Sequence, residues 1–290
     1  MSGTSEYSCN LRPLWDAILE VYRVVASLCD RHNLRYCADC GTALGAVRHG
    51  GFIPWDDDMD IQMPRPDYEK FVEIAKRELP EGYAWLDRFT CADYDNAFGK
   101  VIVTDSARVD KVAADSGLKL GEGIFIDIFP VDGYPNSWIV RVWRRFQNHL
   151  LGFRAKYNDG WNGCTTWKSK LAWLCGAVLL PVNYKIRNYR EQVEFFEARA
   201  KKYVFGKTAM CVSIGCAHYA DDKPYPFKLF GTPKKVKFDS VEMPVQEHVE
   251  EYLKWMFGDY MRLPPVERRK GSHGDTDVVT WRLGPGKCVI

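Results

Sequence analysis

Four aspartates occupy five consecutive positions and run directly into an apolar segment. They are Asp56, Asp57, Asp58 and Asp60, and Ile61, Gln62 and Met63 follow them. Like charges at this spacing repel, and burying one unpaired carboxylate costs several kcal/mol. Such a segment enters a folded core only if a cation neutralises it; otherwise it lies in water as a charged loop.

The alternation of residue types after the first aspartates favours the cation. A strand over residues 58–63 places Asp58 and Asp60 on one face and its apolar residues on the other. Two carboxylates with that geometry form half of a site for Mg²⁺ or Mn²⁺. Asp56 lies two residues before Asp58, so the same alternation places it on that face, and it is a further candidate ligand. Asp57 is predicted to face away and to cap the preceding turn, so that its replacement by asparagine should be mild.

A calcium-binding EF-hand loop is the main alternative for closely spaced aspartates. Such a loop needs glycine at its sixth position and glutamate at its twelfth. Here those positions hold Ile61 and Asp67, which excludes the EF-hand.

A third carboxylate comes from a segment that otherwise belongs in a core. Asp127 is the one charge in the run Gly123–Val131, GIFIDIFPV. A lone aspartate in a buried strand is rare without a partner. We therefore expect Asp127 to share a cation with Asp58 and Asp60.

Other residues are candidates for phosphate binding. Gly41 and Thr42 end a short strand before a helix, where backbone N–H groups and a hydroxyl can hold a phosphate. Together with three carboxylates they predict a phosphoryl-transfer site with two Mg²⁺ or Mn²⁺ ions. Lys100 is either a phosphate clamp or a solvated lysine. Arg48 and His49 either contact phosphate or solvate a turn.

Hydrophobic periodicity predicts both helices and strands, which indicates an α+β fold. The predicted helices are 11–30, 44–49, 65–79, 191–204 and 249–259. The predicted strands are 33–40, 58–63, 100–103 and 123–131.

The segment 138–190 differs from the rest of the chain. It holds ten basic residues, one acid and ten aromatic residues, although the whole chain has a net charge of only +2. One interpretation is contact with an anionic membrane surface. The other is a helical subdomain with buried tryptophans and solvated charges.

Composition and short motifs bear on nucleic-acid binding, on localisation and on the role of the cysteines. A net charge of +2 gives no basis for nucleic-acid binding. The N-terminal residues lack the pattern of a signal peptide, which predicts a cytoplasmic protein with reduced cysteines. Cys37 and Cys40 form one C-x-x-C without a second pair, so structural thiols are favoured over a metal or redox role.

The block GTALGAVRHGGFIPWDDDMDIQMPRPDYEKF (41–71) closely resembles the signature of the LicD/fukutin family of phosphotransferases. The likeness continues in residues 100–101, 123–135 and 257–265. The resemblance implies a DNA polymerase β-type nucleotidyltransferase core, with a mixed β-sheet flanked by helices. It assigns Asp58, Asp60 and Asp127 to metal binding and catalysis, and the Gly41-Thr42 pair to phosphate binding.

The resemblance also implies a reaction. Such enzymes transfer a phospho-alcohol from a CDP-activated donor to a glycan hydroxyl and release CMP. We expect phosphocholine transfer to teichoic acid, lipopolysaccharide or a capsular polysaccharide precursor, with an acceptor that can be lipid-linked and an enzyme peripheral to the inner face of the cell membrane. The alternatives are glycerol phosphate or ribitol phosphate transfer, an NTP-dependent nucleotidyltransferase, and an inactive nucleotide-binding scaffold. The expected organisation is a catalytic core (1–135), a basic aromatic helical region (136–205) and a C-terminal part (206–290).

Overall fold

A computed structural model describes most of the chain. The described residues are 11–92, 94, 96–104, 106–110, 123–156, 166–167, 170–171, 174, 189–213, 223–269, 278–283 and 288–289. Helices and β-strands combine in these residues, which confirms the α+β class. Parts of the predicted basic region, among them residues 157–165 and 175–188, lie outside the described residues.

The helices and strands follow one another in a mixed order. The described α-helices are α1 (Arg12–Arg31), α2 (Cys40–Arg48), α3 (Arg65–Glu78), α4 (Trp138–Lys156), α5 (Tyr189–Ala200), α6 (Phe227–Phe230) and α7 (Val249–Phe257). The described strands are β1 (Cys37–Ala38), β2 (Asp60–Pro64), β3 (Tyr83–Leu86), β4 (Gly99–Val103), β5 (Ser106–Asp110), β6 (Phe125–Tyr134), β7 (Met210–Ser213), β8 (Tyr225–Pro226), β9 (Lys234–Phe238), β10 (Val241–Val245), β11 (Val278–Leu283) and β12 (Cys288–Val289).

The chain divides into two compact units, and the carboxylate residues fall in the first. This unit comprises Met1–Leu86, Gly99–Phe129 and Leu229–Ile290. Its main sheet has the order β1-β2-β6-β4-β3, with β1 antiparallel to β2 and β4 antiparallel to both β6 and β3. β9 and β10 pair with each other, and β5 pairs with β11. The predicted domain boundaries at 135 and 205 stay a prediction.

The long helices of the first unit form where the sequence predicts them. The apolar stripe of α1 is buried at Leu14, Ile18, Val21, Val25 and Leu28. These positions recur at steps of three and four, which places them on one face of the helix. α1 packs on α3, whose Pro66 lies in the first turn, where a missing N–H costs nothing.

The second unit comprises Asp87–Phe98 and Pro130–Lys228. The C-terminal part of β6 pairs there with β7, from Val131 opposite Ser213 to Tyr134 opposite Met210. A core of aromatic and small apolar residues fills this unit: Ala97, Tyr134, Val193, Phe195, Phe196, Ala200 and Val212. A buried ion pair joins Arg88 to Glu197 of α5. Among the described helices of the chain, none is both long and apolar enough to cross a membrane.

Two differences from the predicted elements concern the carboxylate region. β2 begins at Asp60, so Asp58 precedes the strand instead of starting it. α2 begins at Cys40, four residues before the predicted start, because Asp39 caps it. Gly41 and Thr42 therefore lie in the first helical turn.

Candidate functional site

The N-terminus of α2 forms the base of the candidate site. The carboxylate of Asp39 accepts a hydrogen bond of 2.8 Å from the N–H of Cys40, which is an N-cap contact. Cys40 has φ of 36°, a left-handed conformation that non-glycine residues seldom adopt. Such backbone strain persists only where the surrounding structure holds it, and it clusters at functional sites.

Two hydrogen bonds fix the start of β2 against this helix end. The N–H of Asp60 donates to the hydroxyl of Thr42 over 2.8 Å. The carbonyl of Asp60 accepts from the N–H of Asp39 over 2.9 Å. The buried Thr42 hydroxyl thus positions Asp60, a contact that differs from the phosphate contact expected from the sequence.

Gly41 allows the chain before β2 to approach α2. A Cβ atom at this position would lie 2.9 Å from Oδ2 of Asp56. The side chain of Asp56 is therefore held directly against the first turn of the helix, and the indole N–H of Trp15 donates to its carbonyl over 2.8 Å.

The aspartates that precede β2 cluster together. Asp56, Asp57 and Asp58 each offer a carboxylate oxygen, and these atoms lie within 4.8 Å of one another. Asp57 is buried. The prediction that it faces away is wrong, because the chain is not an extended strand before Asp60 and side chains there do not alternate between two faces.

Asp127 reaches this region on β6, which is buried along its whole length. Its N–H donates to the carbonyl of Met59 over 3.1 Å, so the strand lies beside the chain that carries the other aspartates. Nζ of Lys100 lies 3.1 Å from Oδ1 of Asp127 and 3.5 Å from the ring centroid of Phe125. Lys100 is buried, which excludes the solvated-lysine alternative.

Asp60 shows how strongly the carboxylates interact. Its pKa is raised well above the usual value, first because burial disfavours the charged form and then because Asp58, Asp127, Asp39 and Asp56 surround it. The structure thus brings together all four carboxylates predicted from the sequence and adds Asp39 and Asp57. We call these six residues the carboxylate cluster.

The donor set of the cluster suits a hard divalent cation. Carboxylate oxygens from the chain before β2, from β2 and from β6 converge next to a helix N-terminus. So much negative charge in one buried region is destabilising unless protons or cations neutralise it. Mg²⁺ and Mn²⁺ prefer oxygen ligands of this kind.

Sequence reasoning missed Asp39, although a signal for it exists. An aspartate directly before Cys-Gly-Thr has the composition of a helix N-cap. The hydroxyl of Tyr252 on α7 donates to Oδ1 of Asp39, and the amide of Gln246 donates to the carbonyl of Ala38 over 2.8 Å. The side chains of Asp39, Gln246 and Tyr252 are all buried. Residues late in the chain therefore fix the start of α2.

Arg48 and His49 lie at the opposite end of α2. The seven residue steps from Gly41 to Arg48 span about 10 Å of helix axis. Nε of Arg48 contacts Nε2 of His49 over 2.9 Å, and its guanidinium donates to the carbonyl of Tyr260 over 2.8 Å. Burial lowers the pKa of both groups, and Arg48 lowers that of His49 further. Both are partly buried, and their phosphate contact stays a prediction.

The Cys37 and Cys40 pair flanks Asp39. Cys37 is buried and Cys40 is partly exposed, and neither takes part in a disulfide within the described part of the chain. Their assignment as structural thiols stays a prediction.

Gly45 is expected to be essential for packing of α2. A Cβ atom there would lie 2.4 Å from the carbonyl oxygen of Gly51. Because that neighbour is backbone, Gly45→Ala should destabilise the fold by about 2 kcal/mol or more. Gly51→Ala is the matched control, since its Cβ would meet Asp239 at 3.4 Å, an ordinary contact. Thermal unfolding of both variants measures the difference, and equal midpoints would contradict the close packing.

The chain is similar in sequence to a known protein family and to several known proteins. Residues 33–159 match the family model described as LicD/FKTN/FKRP, nucleotidyltransferase domain. The lipopolysaccharide cholinephosphotransferase LicD of Haemophilus influenzae is 28% identical over 260 residues, which cover 85% of this chain and 89% of that protein. An uncharacterized protein of Rickettsia prowazekii is 39% identical over 146 residues, which cover 50% of this chain and 47% of that protein. Human ribitol 5-phosphate transferase FKRP is 31% identical over 74 residues, 24% of this chain and 15% of FKRP.

Proposed function

Because the chain belongs to the LicD/FKTN/FKRP family, as its sequence predicts, we propose that it transfers phosphocholine from CDP-choline to a hydroxyl of a cell-surface glycan and releases CMP. The observation that carries this proposal is the convergence of the carboxylate cluster on the N-terminus of α2. The LicD relative supports choline as the transferred alcohol, since the match extends over most of both chains. The acceptor would be a teichoic acid, lipopolysaccharide or capsular polysaccharide precursor.

The cluster would hold two Mg²⁺ or Mn²⁺ ions. Asp58, Asp60 and Asp127 are the proposed ligands, with Asp56 at the entrance. When bound, such ions neutralise charge on the transferred phosphoryl group and on the leaving phosphate.

The remaining groups of the site orient the carboxylate of Asp60 and bind the donor. Thr42 and Asp39 hold the backbone of Asp60 and so set the direction of its carboxylate. The first turn of α2 directs N–H groups and the positive end of the helix dipole toward phosphate oxygens. Lys100, next to Asp127, supplies a buried positive charge for the donor. Asp127 would accept the proton of the attacking sugar hydroxyl.

Ribitol phosphate transfer is the second candidate. It is favoured by the similarity to FKRP, which is a ribitol 5-phosphate transferase. That match covers 24% of this chain, so it supports the shared chemistry more than the identity of the donor. Glycerol phosphate transfer rests on the same chemistry.

A panel of donors tests the proposal. The full chain is incubated with Mg²⁺ and with CDP-choline, CDP-ethanolamine, CDP-glycerol or CDP-ribitol, and CMP release is measured for each. We expect release from CDP-choline to be fastest and to stop when EDTA removes the cation. Faster release from CDP-ribitol would reassign the donor. Absence of release from every CDP-alcohol, with turnover of an NTP, would overturn the reaction class.

A further inference from the structure

Over residues 138–148, whose side chains the structure describes, helix α4 of the second unit exposes its apolar residues. Trp138, Ile139, Val142, Trp143 and Phe146 have 67%, 61%, 58%, 46% and 41% of their surface accessible. Their spacing of three and four residues places them on one side of the helix. A contiguous apolar face of this kind marks an interaction site more often than a solvated surface.

Three polar residues of the same helix face the interior. Arg144, Gln147 and Asn148 are buried, at 3%, 8% and 1% exposure. The guanidinium carbon of Arg144 lies 4.9 Å from the ring centroid of Tyr134, inside the second unit. Over residues 138–148 the helix is therefore inverted relative to an ordinary surface helix, whose apolar side packs on the core. Such an arrangement is stabilising only when an apolar medium covers the outer face and removes its apolar side chains from water.

The positive charge of α4 indicates that the apolar medium carries negative charge at its surface. The helix has five basic residues and no acidic residue. Arg145 is exposed and Arg141 partly exposed beside the apolar face. An apolar face with tryptophans and flanking arginines is the composition of a helix that lies in the plane of an anionic bilayer. A purely apolar protein partner would leave these positive charges unmatched.

A second helical turn repeats the pattern. The N–H of Lys170 donates to the carbonyl of Thr166 over 3.0 Å. Around that turn the described large apolar residues are exposed: Trp167, Leu171 and Leu174. One basic residue, Lys170, and exposed apolar side chains thus recur further along the same region.

We propose that the outer face of α4 binds an anionic phospholipid bilayer, with Trp138, Val142, Trp143 and Phe146 at the level of the headgroups and Arg141 and Arg145 on the lipid phosphates. This surface acts independently of the donor specificity. It would hold the enzyme at the membrane, where a lipid-linked glycan is accessible.

Flotation of the purified full chain with lipid vesicles tests the proposal. The probes are phosphatidylcholine vesicles with and without phosphatidylglycerol. We expect binding to the anionic vesicles that weakens as salt increases. Arg145→Gln should lower the partition coefficient about fivefold, the effect of one basic residue near a charged surface. Trp143→Ser should lower it about tenfold or more, since a large apolar side chain leaves the bilayer.

The matched control is Trp255→Ser. Trp255 lies on α7 in the first unit and is 48% exposed, close to the 46% of Trp143. The proposal requires that this variant bind as the native chain does and that all variants keep the native thermal midpoint. Equal binding to neutral and anionic vesicles, no binding to either, or an equal loss in the control would overturn it. So would a change in oligomeric state for Trp143→Ser with unchanged vesicle binding, because the face would then bind a second copy of the chain.

Discussion

Asp60→Asn is expected to lower CMP release at least about a thousandfold, because it removes a charged ligand from the centre of the carboxylate cluster. The same substitution is expected to stabilise the cation-free protein at neutral pH. Loss of activity together with a gain in stability distinguishes a functional residue from a structural one.

The gain in stability follows from the raised pKa of Asp60. In the unfolded chain the carboxyl loses its proton near its ordinary pKa, whereas in the cation-free fold it retains the proton to higher pH. The folded state therefore binds more protons over that interval, and the free energy of unfolding decreases as pH rises through it. Asparagine carries no such penalty, so the native chain and the variant should become equally stable in acid and diverge toward neutral pH.

Thermal unfolding against pH, with and without Mg²⁺, measures this effect. Mg²⁺ should raise the midpoint of the native chain by binding the folded state, and it should raise that of Asp60→Asn less. Asp30→Asn is the control, because Asp30 is an exposed aspartate at the end of α1. A variant that is less stable than the native chain at neutral pH without cation would contradict the repulsion among the carboxylates.

The sequence contains enough local information to place the main carboxylates. The apolar run around Asp127 predicts a buried strand, and β6 is buried throughout. The periodicity of α1 and α3 predicts both helices to within one or two residues. These predictions succeed because each depends on neighbours a few residues away, where hydrophobic spacing and turn chemistry decide the conformation.

Contacts between distant segments are not encoded in that way. Tyr252 reaches Asp39 across 213 positions, and no local pattern links the two residues. The inverted orientation of α4 is a similar case, since periodicity shows that a helix has two faces but not which one the rest of the fold covers. The sequence therefore predicted four members of the carboxylate cluster and missed Asp39 and Asp57.

Asp57 shows where a local rule fails. Strict alternation requires an extended backbone, and the chain becomes a strand only at Asp60. In the non-strand segment before it, Asp57 turns inward and its carboxylate joins those of Asp56 and Asp58 within 4.8 Å. The structure thus replaces the expectation of a mild Asp57→Asn substitution with that of a severe one.

Asp57→Asn is expected to lower CMP release by about tenfold to a hundredfold, the usual loss when a residue that binds or orients a metal ligand is changed. The concentration of Mg²⁺ that gives half-maximal activity should rise in parallel. Titration of activity with Mg²⁺ for Asp57→Asn, Asp57→Glu and the control Asp30→Asn separates the contributions. Asp57→Glu keeps the negative charge and should retain more activity than the amide. If Asp57→Asn instead kept the native rate and the native Mg²⁺ dependence, the buried carboxylate of Asp57 would have no part in cation binding. The expectation of a mild substitution, drawn from the sequence, would then stand.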